Sequence, residues 1–412
     1  MNKKISKIFA VALAFVLCFA MATPAFAAGN YTGMTGTDHL TTTFDKYLVM
    51  DSNAKVPNVK FNFSITAGTP LPAANGKFEV LKGVFSEDGS KPSISNSGVV
   101  SFASNDATFT TATAASGDYV KGDLTNKKYA KQTAVIDFTG VVFKEPGVYR
   151  YVITEDTTAK QGIVYDTAAT RILDVYVEDA STDTAKLLKI AGYVFHATAT
   201  QPDVDSVKFG TAENTAAENT AASDYKSQGF TNEYISHDLT FKKTVSGNQA
   251  SRDKYFKFTV TITGALPNTK YNVNITNAEA APSGNSATTY TNMENPSEIE
   301  TDATGAVTQT FYLQHNQYIT IEGLTDGALW EITEDAEGYK STVVAKEGET
   351  ALAGAADTDG IHSDSSAAFD NYREGVVPTG VLLTVAPFAV LMLVGIAGAV
   401  AIILKKKRTS DK

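Results

Sequence analysis

The sequence predicts an all-β protein built from two tandem sandwich domains, and three observations predict it. Between its termini the chain is rich in Thr, Val, Tyr and Phe in alternating runs such as KFNFSITAG, GVYRYVITED, RILDVYVED and YFKFTVTITG, broken by Gly, Asn and Asp. No long stretch repeats its apolar residues at the helical period. The chain also repeats itself: FDKYLVMDSNAKVPNVKFNFSITAG at 44–68 parallels FKKTVSGNQASRDKYFKFTVTITG at 241–264, YVITED at 151–156 parallels WEITED at 330–335, and GFTNEY at 229–234 parallels AFDNYR at 368–373. The same order twice implies two domains of one fold, 28–235 and 236–373. Short alternating strands separated by turn signals suit immunoglobulin-like β-sandwiches.

The ends of the chain carry addresses. Lys3, Lys4 and Lys7 precede the apolar run IFAVALAFVLCFAMA and the small-x-small site Ala25-Phe26-Ala27, which reads as a secretory signal peptide over 1–27. At the other end Val381 to Leu404 is an apolar run of 24 residues, long enough to span a bilayer as a helix, followed at once by Lys405, Lys406, Lys407 and Arg408. VVPTG, Val376 to Gly380, stands just before it. Removing the leader's three lysines and the net +4 of residues 380–412 leaves −17 on residues 28–379. That acidic balance argues against nucleic acid as a partner. Cys18 is the only cysteine and belongs to the leader, so an exported product has no disulfide to stabilise it. The segment TAENTAAENTAASDYKSQG at 211–229 has duplicated units and lacks large apolar residues, which predicts an exposed loop.

One polar residue type sits where it should not in each repeated segment. In HDLTFKKTVSG the period of two places Leu239, Phe241, Lys243 and Val245 on one face and Lys242 on the other. The same rule groups Phe44 with Lys46 and Leu48, Tyr149, Tyr151 and Ile153 with Glu155, and Phe230 with Asn232. In the second domain it groups Trp330 and Ile332 with Glu334, and Phe369 with Asn371. A buried ammonium without a partner is costly, so something must neutralise these lysines. Burial lowers a lysine pKa and makes the nucleophilic amine common, while it raises that of a carboxyl group. A carboxyl group kept protonated in this way can polarise a neighbouring amide carbonyl and shuttle protons. The simpler reading is a buried Lys–Glu ion pair with Asn as hydrogen-bond partner.

Pro-Thr-Gly, an apolar span and a basic tail together resemble a Gram-positive cell-wall sorting signal, although Val occupies the first position where Leu is common. With the repeated Lys, Glu and Asn, and with VPTGV followed by TVAP, the whole precursor resembles the streptococcal T-antigen type of major pilin. The resemblance implies two autocatalytic Lys–Asn isopeptide bonds, Lys46 to Asn232 assisted by Glu155 and Lys243 to Asn371 assisted by Glu334. It implies cleavage by sortase between Thr379 and Gly380 within the sorting signal, 374–412, and transfer of the Thr379 carbonyl to a lysine of the next subunit. The linking lysine of related pilins lies shortly before the isopeptide Asn, so Lys226, six residues before Asn232 in the exposed loop, is the candidate acceptor; Lys208 is the other lysine nearby, and the Tyr-Pro-Lys-Asn motif of other pilins is absent. Implied partners are sortase, further copies of the chain, minor pilins and cell-wall peptidoglycan, at the cell surface.

Other classes have less support. The histidines at 39, 196, 237, 315 and 362 lack metal spacing, and no G-x-S-x-G occurs, so neither a metal, a cofactor nor a secreted hydrolase is expected. DTDG at 357–360 matches a calcium loop only in its first residues and reads as a turn. A monomeric wall-anchored adhesin or spacer needs Thr379 but no acceptor lysine.

Overall fold

The computed structural model describes residues 33–34, 39–74, 77–86, 89–114, 118, 120–197, 229–277 and 295–376. The leader, Lys226, Thr379, Gly380 and the 381–404 span lie outside them. Among the described residues the strands form four sheets, stacked as two sandwiches.

The first sandwich uses β1 (Thr41–Asp51), β2 (Val59–Ala67), β3 (Lys127–Asp137), β4 (Gly147–Glu155), β5 (Thr170–Asp179), β6 (Leu187–His196) and β7 (Gly229–Tyr234). One sheet runs β6–β5–β4–β2 and the facing sheet β7–β1–β3. The second sandwich uses β8 (Ser236–Ser246), β9 (Phe256–Thr263), β10 (Lys270–Asn277), β11 (Val307–Leu313), β12 (Gln317–Thr325), β13 (Leu329–Asp335), β14 (Lys340–Glu347) and β15 (Ser365–Tyr372). Here β10–β12–β8–β15–β14 faces β11–β9–β13.

Each sandwich pairs its first long strand with its last, in parallel. On β1 and β7, Lys46 lies opposite Phe230 and Leu48 opposite Asn232. On β8 and β15, Lys243 lies opposite Phe369 and Val245 opposite Asn371. Parallel neighbours need a long crossover, and in each case nearly the whole domain provides it. Gly229 lets β7 approach, because a Cβ there would stand 1.7 Å from the Asp45 carbonyl oxygen.

Alternation holds along β8, where Leu239, Phe241, Lys243 and Val245 are buried and Lys242 is exposed. It fails on β1, β4 and β5, where residues of the outer face are buried as well. Tyr47 and Val49 of β1 pack with Tyr129 beneath Phe109, Val120 and Leu124. Gly68 and Gly83 come in beside Arg150 along one edge of β4, both glycine N–H groups donating to the Arg150 carbonyl. Arg150 is buried there and gives two parallel 2.7 Å bonds to Asp174, whose Oδ2 also lies 3.1 Å from His196. The paired geometry holds the Asp174 carboxyl below its ordinary pKa although burial pushes it up.

Ile235 alone separates β7 from β8, and the joint around it is packed. The Tyr234 hydroxyl donates to the Gly323 carbonyl at 2.9 Å, Asn53 donates to both oxygens of Asp238, and Leu266 joins the first core.

Candidate functional site

Two polar sites are buried in the middles of the two cores, and both are built the same way. Lysine and asparagine come from neighbouring parallel strands of one sheet, and glutamate comes from the facing sheet. In the first, Lys46, Glu155 and Asn232 are 0%, 2% and 1% exposed. Lys46 Nζ lies 2.7 Å from Glu155 Oε1, and Asn232 Nδ2 donates to the same oxygen at 2.8 Å. In the second, Lys243 Nζ lies 2.6 Å from Glu334 Oε1 and Asn371 Nδ2 donates to that oxygen at 2.9 Å. One carboxylate oxygen therefore bridges the amine and the amide nitrogen in each domain.

Aromatic rings close around the amines. Lys46 Nζ stands 4.7 Å from the Phe61 ring centre, with Phe63 and Phe230 next, and Lys243 Nζ stands 4.7 Å from that of Phe256. Water is excluded, so burial pulls the Lys46 pKa down to about 8 although Glu155 pulls it up. Burial also raises Glu155 above the usual carboxyl range, against the opposing pull of Lys46 and Asn232. Lys243 is lowered from its ordinary value by burial, with Glu334 acting the other way. In the first site the amine and the carboxyl are thus both pushed toward their neutral forms, the combination that nucleophilic attack with proton transfer requires.

The glutamate contact differs from the one expected from the sequence. Glu155 and Glu334 touch the amide nitrogen, not the carbonyl oxygen, so neither carboxyl polarises the carbonyl in this arrangement. Each lies between the lysine amine and the amide nitrogen, within hydrogen-bond distance of both. The carbonyl is served differently in the two domains. Asn232 Oδ1 accepts the backbone N–H of Asp166 at 2.9 Å, whereas Asn371 Oδ1 has no hydrogen-bond partner among the described residues. Conversely, Ser341 donates to Glu334 Oε2 at 2.8 Å, while Glu155 Oε2 has no hydrogen-bond partner among those residues. Sequence patterning missed Asp166, Arg171 and Ser341. A backbone N–H leaves no residue-type signature, and Arg171 comes from a strand outside the repeated motifs.

Lys226, Thr379 and Gly380 lie outside the described residues. Among the described residues no cluster of three His, Cys, Asp or Glu side chains could hold a metal ion, and no helix is long and apolar enough to cross a membrane. Asp357 of DTDG caps its own turn, accepting the N–H groups of Asp359 and Gly360.

Residues 44–235 match the Spy0128-like isopeptide containing domain, and residues 237–373 match a domain of unknown function, DUF7601. The chain is 26% identical over 404 residues to a pilin of Streptococcus pyogenes serotype M1, covering 96% of this chain and 99% of that protein. It is 27% identical over 154 residues to the S. pyogenes pilus tip adhesin Cpa, covering 35% of this chain and 18% of the adhesin. Among solved structures, the S. pyogenes major pilin T3.2 aligns at a TM-score of 0.48 and 18% identity over 81% of this chain and 98% of its own. Another S. pyogenes major pilin aligns at 0.46 and 22% identity, over 82% and 99%. Residues 44–235 accordingly match the Spy0128-like isopeptide containing domain, and the chain is similar along nearly its whole length to a streptococcal pilin.

Proposed function

We propose that this chain is the backbone subunit of a covalently assembled cell-surface pilus, and that each domain closes its own Lys–Asn isopeptide bond. The observation that carries the reading is the duplicated geometry: an amine and an amide on parallel neighbouring strands, bridged by one oxygen of a buried glutamate, twice in one chain. In the reaction the glutamate takes a proton from the lysine, the neutral amine attacks the asparagine Cγ, and the new C–N bond forms. The glutamate passes that proton to Nδ2, the Cγ–Nδ2 bond breaks as ammonia leaves, and the carboxylate takes the second proton from the nitrogen that has joined Cγ. The product is a neutral amide, which removes the buried charge.

Polymerisation by sortase through Thr379 to Lys226 of the next subunit extends this reading, with minor pilins and peptidoglycan as further partners. Strand direction supports it. β7 runs into the joint and β8 runs away from it, and β15 follows β8 in parallel to Tyr372. The chain therefore leaves the second domain at the end remote from the joint, while β7 begins at the remote end of the first. Described segments that begin at Gly229 and end beyond Tyr372 at opposite ends suit head-to-tail growth.

Intact mass of recombinant 28–379 under denaturing conditions tests the crosslinks. Two bonds remove two ammonias, about 34 Da, and Glu155→Ala and Glu334→Ala each restore about half. A mass equal to the plain sequence leaves only ion pairs and overturns the isopeptide reading. For polymerisation, Lys226→Ala abolishes the high-mass ladder in cell-wall extracts. A ladder that survives assigns the linkage to another lysine. The match to a tip adhesin over part of the chain favours a second reading, an unpolymerised surface subunit, and absence of any ladder in the parent strain would select it.

A further inference from the structure

The two triads share their glutamate bridge but not the environment of the asparagine carbonyl, and the difference is built into the first domain. Asn232 is oriented from both sides, Nδ2 donating to Glu155 and Oδ1 accepting the Asp166 N–H at 2.9 Å. The Asp166 carboxylate, in turn, accepts the N–H groups of Thr231 and Ala168, both at 3.1 Å, and Arg171 Nη2 at 2.6 Å, with Lys121 Nζ at 3.2 and 3.3 Å. Arg171 is fully buried. Its Nε donates to the Gly229 carbonyl at 3.1 Å, its Nη1 to the carbonyls of Ala168 and Thr170 at 2.6 and 3.0 Å, and its guanidinium lies 4.5 Å from the centre of the Phe230 ring. These contacts tie the 166–171 segment to residues 229–231 of β7, immediately before the reacting asparagine. Burial works against the Asp166 charge, but the Thr231 and Ala168 N–H groups and Arg171 hold its pKa below the ordinary carboxylate value.

We infer that the Asp166 N–H is an oxyanion donor for closure of the Lys46–Asn232 bond, and that the Asp166 carboxylate and Arg171 are positioning groups that hold it in place. The inference rests on the isopeptide reading above. When Lys46 Nζ adds to Cγ, the carbonyl double bond opens and negative charge collects on Oδ1, the atom this N–H already meets. The charge returns to the carbonyl as the Cγ–Nδ2 bond breaks and ammonia departs. A fixed donor stabilises the charged intermediate more than the neutral amide, which is how such a contact accelerates acyl transfer. Asn371 has no such donor among the described residues, so the second domain relies on its glutamate and closes more slowly.

Cell-free synthesis of the full chain, quenched into acid and urea at intervals and digested, gives separate time courses for the Lys46–Asn232 and Lys243–Asn371 linked fragments. In the parent the first bond forms faster than the second. Arg171→Met and Asp166→Ala each slow the first bond by roughly tenfold to a hundredfold, the scale of losing one oxyanion donor, and leave the second unchanged as an internal control. Asp166→Asn and Arg171→Lys, which keep part of the hydrogen bonding, recover much of the rate.

The pair of variants separates positioning from simple electrostatics. Arg171 and Asp166 carry opposite charges and act oppositely on the Lys46 ionisation, Arg171 lowering its pKa and Asp166 raising it. A direct charge effect would therefore slow one variant and speed the other, whereas loss of a shared clamp slows both. Opposite responses, or an unchanged first bond in both variants, overturn the inference while the isopeptide reading stands. A parent chain that forms neither bond overturns both.

Discussion

Asn371→Ala and Glu334→Ala both abolish the second crosslink, but they should not be equally unstable. Closing a loop of 128 residues, from 243 to 371, removes denatured-state entropy. By the chain-entropy relation for crosslinks this is worth about 5 kcal/mol. Asn371→Ala loses that term and keeps the Lys243–Glu334 contact at 2.6 Å. Glu334→Ala loses it and also strands a fully buried ammonium, which costs about 3–5 kcal/mol more. Deprotonation limits this extra cost, since discharging a lysine at pH 7 costs about 1.4 kcal/mol for each unit below its unfolded pKa of about 10.4. A domain of this size shifts its Tm by roughly 3–4 °C per kcal/mol. In a calorimetric scan of 28–379 the second-domain transition should therefore fall by about 15–20 °C in Asn371→Ala and by about another 10–15 °C in Glu334→Ala. Equal transitions in the two variants would refute the claim that Glu334 neutralises Lys243. A parent-like transition in Asn371→Ala would refute the crosslink's role in stability.

Lys242→Ala, one residue away on the exposed face of β8, should leave both ammonia losses intact and change stability by less than about 0.5 kcal/mol; loss of a bond would overturn the face assignment. Asp174→Ala should destabilise the first domain by about 3–5 kcal/mol in urea titration, because it leaves the buried Arg150 guanidinium without its paired carboxylate. A cost under about 1 kcal/mol would show that water reaches Arg150. Asn232→Ala, uncrosslinked, should gain stability as pH rises. Lys46 titrates at about 8 in the fold and near 10.5 when unfolded, so the unfolded state holds the extra proton between those values. The penalty on the fold is complete below about pH 8 and is relieved, by roughly 3 kcal/mol, on approaching pH 10.5. Adding Lys46→Met should flatten that slope, and a slope that persists would assign it to another group.

The triads were legible because each member breaks a local rule. Lys46 and Lys243 stand on apolar faces between Phe and Leu or Val, and the pleat alone puts them inside. The repeat then paired them with a glutamate and an asparagine of the same order. Patterning was blind where a second layer covers the outer face. Tyr47 and Val49 read as solvent-facing on a half-buried strand, yet they are buried beneath Phe109, Val120 and Leu124. Arg150 and Asp174 are likewise buried on the outer faces of β4 and β5, where they pair with each other.

Alternation along a strand is a property of neighbouring residues, so the sequence by itself determined the all-β class, the inward lysines, the choice of Lys243 over Lys242 and the order of the repeated motifs. Only the tertiary structure decided that Lys46 and Asn232, 186 residues apart, lie on adjacent parallel strands with Glu155 across the core. It alone decided that the glutamate meets the amide nitrogen, and that a backbone N–H of Asp166 meets the carbonyl in one domain but not the other. Strand neighbours depend on the closure of long crossovers, and backbone donors are the same in every residue, so neither is written in residue type.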